Sequence, residues 1–199
     1  KTEDDVVLHV PNLIADLASW RAQPRLYYGL WAWAGLTPAG RACGFGWTGY
    51  DPARCPAGSL DGTLFATGPL EVLSADLARL LASDDAVAAF VERAAREANG
   101  GRTDEDVLLG VMLSHARATT PGLTITYASP PDNSRFLDFY CVPGSGLYQV
   151  PHPGATVNHR IKLPRLVRYT WRLIAECRPH NRSRCWEGER LAHLTRLVR

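Results

Sequence analysis

Three groups of side chains in this sequence have types and spacings suited to chemistry. Glu3, Asp4 and Asp5 stand just before the apolar run Val6-Val7-Leu8. Hard divalent cations such as Mg²⁺ or Mn²⁺ favour oxygen ligands and commonly share their shell with phosphate oxygens and water. Residues at i and i+2 of a strand point the same way, so Glu3 and Asp5 are expected to serve one site. The plainer alternative is a solvated acidic turn. Asp104, Glu105 and Asp106 precede Val107-Leu108-Leu109-Gly110. With Thr103 they fit a helix capping box whose acids complement the helix dipole, or they supply a general base at a helix start. The third candidate, His159, lies in Val157-Asn158-His159-Arg160-Ile161-Lys162. It is either structural or, if folding carries it to the first acidic group, an imidazole that completes a Mn²⁺ shell. His9, His115, His152, His180 and His193 have no comparable context.

Alternating strands and helices must position these groups. Val6 to Val10 reads as a strand, with Pro11 opening a helix whose inner face is Leu13, Ile14, Leu17 and Trp20. Aromatic-rich Leu26 to Trp33 reads as a second strand. Glycines, prolines and two cysteines between Gly35 and Gly62 predict a long loop. Phe65 to Leu73 is expected to be extended, and Ser74 to cap a helix through Leu77, Leu80 and Leu81. A second helix follows Asp84-Asp85 with Val87, Phe90 and Val91 inward, and a third runs from Thr103 through Val107, Leu108, Val111 and Met112. Residues 119–154 read as irregular, with short strands at Leu123–Tyr127 and Phe136–Cys141. Val157 to Ile161 is a strand candidate, and Pro164 starts a helix with Val167, Trp171 and Ile174 inward. This mixture describes an α/β domain.

The chain has 199 residues, 46% of them hydrophobic, enough to bury a core, and no internal repeat. Its formal charge of +2 averages two unlike regions: residues 1–159 carry 11 basic and 17 acidic side chains, residues 160–199 carry 11 and 3. Residues 176–199 form a basic, Arg-rich tail without an assigned role. A nucleic-acid binder is disfavoured because no recognition motif accompanies that charge. No apolar run approaches the ~18 residues of a membrane span. The chain opens on Lys1 and its one methionine is Met112, so a fragment is expected, with any anchor lying upstream. Cys43, Cys55, Cys141, Cys177 and Cys185 lack the paired spacing of a zinc site. Asn181-Arg182-Ser183 is a glycosylation acceptor triplet, which with one or two disulfides suits a secretory compartment or is an unmodified surface loop.

Four segments in order resemble glycosyltransferase family 31, the inverting β-1,3-galactosyl- and N-acetylglucosaminyltransferases. Lys1-Thr2-Glu3-Asp4-Asp5-Val6 with Val10-Pro11-Asn12-Leu13 is similar to the family's Lys-Thr-Asp-Asp-Asp motif and trailing Pro-Asn-Leu. Phe65-Ala66-Thr67-Gly68-Pro69-Leu70-Glu71-Val72-Leu73-Ser74 resembles its Tyr-Ala-Ser-Gly-x-Gly-Tyr-Val-Leu-Ser segment. Glu105-Asp106-Val107-Leu108-Leu109-Gly110 matches Glu-Asp-Val-x-x-Gly, and Val157-Asn158-His159 with Ile161-Lys162 and Pro164 resembles the late histidine segment.

The resemblance implies a GT-A-like, Rossmann-like mixed sheet with flanking helices, incomplete at its N-terminus, over residues 1–175. It implies transfer of galactose or N-acetylglucosamine from a UDP-sugar to a sugar hydroxyl of a glycan or glycoconjugate, in the Golgi lumen, with Mn²⁺ or Mg²⁺. Asp5 and His159 would contact the metal, with Glu3 beside them. Asp4, Gly68 and Lys162 would meet the donor, with Arg160 also near the diphosphate. Asp106, or second Glu105, would be the base. Trp47 is expected to stack on an acceptor sugar or to sit in the core, and Glu71 to line the acceptor pocket. Glu3, Leu70 and Glu71 depart from the family pattern. The rival from another class is a catalytically silent carbohydrate-binding or scaffold protein that retains the fold.

Overall fold

The computed structural model describes residues 1–97, 104–138, 140–142, 146–149 and 151–176. In chain order the elements are β1 (Val7–Leu8), α1 (Val10–Leu17), β2 (Leu26–Leu36), β3 (Ala42–Gly46), β4 (Leu60–Leu73), α2 (Ala75–Ser83) and α3 (Asp85–Glu97). They continue with α4 (Glu105–Thr119), β5 (Thr126–Ala128), β6 (Phe136–Asp138), β7 (Tyr140–Val142), β8 (Gly146–Gln149), β9 (Val157–His159) and α5 (Pro164–Glu176). The protein is mixed α/β, with two mixed sheets, a β7–β8 hairpin and five α-helices among the described residues. None of these helices is long and apolar enough to cross a membrane. Residues 1–175, read in sequence as one catalytic portion, are shared between two compact units. The first comprises Lys1 and Ala22–Ser129, the second Thr2–Arg21 and the described residues from Pro130 onward.

In the first unit β2 is central. It pairs antiparallel with β4 on one side, and on the other antiparallel with β3 and parallel with β5. Its run Leu-Tyr-Tyr-Gly-Leu-Trp-Ala-Trp-Ala is apolar on both faces, as a strand flanked on both edges requires. Tyr27, Ala66, Leu77, Leu81, Val87, Leu113 and Ala116 form one core cluster, and Phe65, Phe90, Val107 and Val111 belong to another. Gly110 of α4 lies so close to β4 that a Cβ there would stand 2.7 Å from the Phe65 Cβ and 2.8 Å from the Leu64 carbonyl oxygen. That approach makes the glycine that ends Glu105-Asp106-Val107-Leu108-Leu109-Gly110 a helix-on-strand packing requirement.

The loop expected from Gly35 to Gly62 is instead ordered by β3, a 3₁₀ turn at Pro52–Arg54 and the start of β4. Its glycines make room for an aromatic ring. A Cβ at Gly35, Gly44 or Gly62 would come within 2.4–2.8 Å of Tyr50 ring or hydroxyl atoms. Cys43 and Cys55 form a disulfide there, with Cα atoms 5.2 Å apart. The helix cap expected at Thr103 falls outside the described residues; Asp104 occupies the N-cap position, but its carboxylate accepts the Ala42 N–H at 2.6 Å.

The second unit is built on a three-stranded sheet, β1 antiparallel to β9 and β9 parallel to β6, packed by Val7, Ile161, Leu166 and Ile174. Val10 belongs to α1 rather than to the strand before it, because His9 serves as N-cap and its Nδ1 accepts the Asn12 N–H. The inner face expected for α1 is also revised: Ile14 is 65% exposed and Asp16 is buried. The Arg135 guanidinium explains the inversion. Its Nη2 donates to Asp16 Oδ1 at 2.5 Å and its Nε at 3.0 Å, while the Thr156 hydroxyl donates to Asp16 Oδ2. Arg135 precedes β6 and Thr156 precedes β9, and the Thr156 N–H donates to the Arg135 carbonyl at 2.8 Å. The buried knot therefore aligns the starts of two parallel strands. In α5 the inward residues are Leu166, Thr170, Leu173 and Ile174, a 4-3-1 helical spacing that leaves Trp171 on an exposed flank.

Candidate functional site

Glu3, Asp5 and His159 converge in the second unit. One potential ligand atom from each lies within 4.8 Å of the others. His159 Nε2 is 2.7 Å from Glu3 Oε2 and 3.3 Å from Asp5 Oδ1. The acidic residues reach this point from a turn at Asp4–Asp5 ahead of β1, so strand alternation is not what aligns them. The Ile161 N–H, donating to the Asp5 carbonyl at 2.8 Å, ties that turn to the end of β9. Arg160, between them, adopts a left-handed φ of 63°, a conformation few non-glycine residues take without a local reason. Asp5 Oδ1 is buried and accepts no hydrogen bond, although the imidazole lies beside it.

On its other side His159 Nδ1 meets Asp138 Oδ1 at 2.5 Å. Burial by itself would lower the His159 pKa, but the Asp138 hydrogen bond and charge, followed by Asp5 and Glu3, outweigh it and hold the imidazole above its usual value. Lys162 Nζ stands 3.5 Å from Asp5 Oδ2, and Arg160 Nε 3.8 Å from Asp138 Oδ2, both from exposed positions. Asp4, Asp5, Lys162 and Arg168 line a cleft of about 630 Å³ closed on its apolar side by Ile161, Pro164 and Val167. Asp4 and Lys162 thus lie where a ligand beside Asp5 would meet them.

The first unit gathers a different set of carboxylates. Asp106, at the start of α4, accepts the Gly68 N–H on Oδ2 at 3.1 Å and the Val107 N–H on Oδ1 at 2.8 Å. Burial raises its pKa, against the opposing pull of those two N–H groups. The Gly68 N–H is therefore committed to Asp106 rather than open to a donor. Gly68 lies where β4 departs from regular pairing: Gly29 faces Glu71 and Trp31 faces Ala66, so Thr67 to Leu70 bulge opposite Leu30.

Glu71 does not offer its carboxylate to an acceptor. It is 1% exposed; Tyr27 donates its hydroxyl to Oε1 at 3.2 Å, and Lys1 Nζ stands 3.1 Å from Oε2. The Tyr27 hydroxyl also accepts the Ala66 N–H at 2.9 Å. Lys1 exchanges both backbone hydrogen bonds with Glu71, at 2.8 and 2.9 Å, and its Nζ reaches Glu105 Oε1 at 3.3 Å. Burial pushes the Glu71 pKa up, with Lys1 acting against it. Glu105 is lowered, chiefly by its own backbone N–H, and its side chain is 61% exposed. Trp47 is 56% exposed and touches Phe45 edge-on at 5.4 Å between centroids, so the core alternative for it is ruled out.

Asp138 and Tyr27 were missed by the sequence reading. Asp138 is a single acid in Phe-Leu-Asp-Phe, and only the parallel register that sets it opposite His159 gives it a role. Cys177, Cys185, Asn181, His180 and His193 lie outside the described residues. No family model, no curated protein and no solved structure matches the chain.

Proposed function

We propose that the chain is a metal-dependent inverting hexosyltransferase of the family 31 type, GT-A-like in fold, which moves galactose or N-acetylglucosamine from a UDP-sugar to a sugar hydroxyl of a glycan or glycoconjugate. The observation that carries the reading is the convergence of Glu3, Asp5 and His159 from opposite ends of the described chain. Two carboxylates and an imidazole suit Mn²⁺ and, less well, Mg²⁺. The buried Asp5 Oδ1 without a hydrogen bond is the atom such a cation would satisfy. When bound, the cation neutralises charge developing on a diphosphate leaving group.

The chain's own residues supply the rest. Glu3, Asp5 and His159 hold the cation, and Asp4, Lys162 and Arg160 meet the polar parts of the donor. Asp106 takes the proton from the acceptor hydroxyl as that oxygen attacks the anomeric carbon. A carboxylate made more basic by burial suits this task better than Glu105, whose pKa is depressed. Trp47, exposed, offers a face for a sugar ring. The Cys43–Cys55 disulfide supports an oxidising compartment, a class to which the proposed Golgi lumen belongs.

The test is UDP release from UDP-galactose and UDP-N-acetylglucosamine with Mn²⁺. Asp5→Ala and Asp106→Asn should each lower turnover by about 100-fold or more. Unchanged turnover in both removes the assigned roles. One observation favours the silent carbohydrate-binding alternative: both Asp106 oxygens already hold backbone N–H groups, as a purely structural carboxylate would. Sugar binding without UDP release decides for it.

A further inference from the structure

His159 presents two nitrogens to two different surroundings. Nε2 faces Glu3 and Asp5, while Nδ1 faces Asp138 alone among the described carboxylates. β6 and β9 are parallel and register Asp138 with His159, Leu137 with Asn158 and Phe136 with Val157, so Asp138 and His159 project from the same side of neighbouring strands. The Asp16–Arg135–Thr156 knot at the other end of both strands holds that register. A neutral imidazole has one N–H and one lone pair, and the partner of one nitrogen decides which is which. Without a cation both nitrogens face carboxylates, and each carries a hydrogen toward them; Asp138, beside Nδ1, keeps that hydrogen in place when a cation between Glu3 and Asp5 takes the Nε2 lone pair.

We infer that Asp138 is a positioning residue for the cation site: it fixes the His159 tautomer and ring orientation so that Nε2 is the ligand atom, and thereby favours cations that accept imidazole, such as Mn²⁺, over Mg²⁺. The inference rests on the metal reading of Glu3, Asp5 and His159 and adds to it a residue and a selectivity. Carboxylates behind metal-bound imidazoles raise ligand basicity as well as orienting the ring, and their loss typically weakens binding by about 10–100-fold. Mg²⁺ prefers oxygen and water and dehydrates reluctantly, so it gains little from a better imidazole.

Isothermal titration with Mn²⁺ and with Mg²⁺ tests this on the chain and on Asp138→Ala and Asp138→Asn, together with ¹⁵N NMR of the His159 ring loaded with Zn²⁺, a diamagnetic cation that accepts imidazole. In the unsubstituted chain Zn²⁺ should shift the Nε2 resonance and leave the hydrogen on Nδ1. Asp138→Ala should let Zn²⁺ reach either ring nitrogen and weaken Mn²⁺ by about 10–100-fold with a smaller change for Mg²⁺. Asp138→Asn keeps shape and an acceptor oxygen, so it should lose less than Asp138→Ala, and it carries the test if the alanine variant does not fold. Mn²⁺ binding by the unsubstituted chain that neither variant weakens overturns the inference and leaves the metal site standing. Equal losses for Mn²⁺ and Mg²⁺, or ligation through Nε2 alone in Asp138→Ala, overturn it too. No binding of Mn²⁺ by the unsubstituted chain overturns both.

Discussion

The two carboxylate clusters use nearly the same ingredients and give them different partners. In the second unit Glu3, Asp5 and Asp138 surround one imidazole, with Lys162 and Arg160 at the rim. In the first, Glu71, Glu105 and Asp106 share Lys1, the Tyr27 hydroxyl and two backbone N–H groups. In the first unit Asp106 has both oxygens matched by backbone N–H groups, while Glu71 has Oε1 bonded to Tyr27 and Oε2, without a hydrogen bond, beside the Lys1 ammonium; burial raises the pKa of both, so that cluster is suited to holding or taking a proton. The second unit's acids converge on a point instead and leave Asp5 Oδ1 unmatched. Convergence of acids on one imidazole suits a cation; burial among backbone N–H groups tunes a base. Residue type does not separate the two cases, since each has three acids.

The contrast breaks most severely if the scaffold beneath the open cluster is removed. Asp16→Ala leaves the Arg135 guanidinium, 19% exposed, without its carboxylate, and should destabilise the protein by about 3–5 kcal/mol in urea unfolding. A loss under about 1 kcal/mol would show that the knot does not hold the register of β6 and β9. Next in size is the response to metal. Mn²⁺ at about 100 times its dissociation constant should stabilise the chain by about 2.7 kcal/mol. Asp5→Ala or His159→Ala should abolish that gain, whereas Asp106→Asn should keep it. If Asp106→Asn removed it equally, the division of labour between the clusters would be wrong.

Tyr27→Phe probes the closed cluster. It takes one hydroxyl from two buried partners, the Ala66 N–H and Glu71 Oε1, and should cost about 2 kcal/mol, read from the denaturation midpoint. The pH dependence of stability is a finer test. Glu71 in the folded chain lies above its ordinary 4.5, with burial the main cause, so the folded state keeps a proton that the unfolded chain has released. Its contribution is therefore complete below 4.5 and is lost as pH rises through the raised value. Glu71→Gln should flatten that fall, and an undiminished slope would refute burial as the source. The smallest effect belongs to Trp47→Ala. As an exposed residue it should change stability by about 0.5 kcal/mol or less while reducing binding of an acceptor glycan measured by titration; equal binding would leave the side chain without a role in recognition.

Local pattern was enough for the helices and long strands of the first unit. Leu77 and Leu81 of α2 and Val107 and Val111 of α4 are buried at the helical spacing that predicts them, and the apolar Leu26 to Trp33 run lies within the central strand. Pattern failed where a polar residue occupies the inner face. Asp16 and Thr170 are buried because distant groups or close packing receive them, and a reading that looks for apolar periodicity assigns Ile14 and Trp171 to the core instead. It failed again at the glycines around Tyr50, which signal a turn in sequence and a ring's packing space in the structure.

The sequence by itself determined the candidate acids and the imidazole: Glu3, Asp5 and His159 stand out by type and by their places beside apolar strands, and Asp106 by its place at a helix start. Tertiary structure alone decided their partners. Asp138 acquires meaning through the register of two parallel strands, Glu71 changes from an expected ligand contact to a buried, paired acid, and Gly68 aims its N–H at Asp106. The physical reason is that donor–acceptor matching and burial are properties of residues distant along the chain. Charge and hydrophobicity are carried by each residue separately, but whether a carboxylate ends up open to a cation or closed around a proton depends on which backbone and side-chain donors the fold delivers to it.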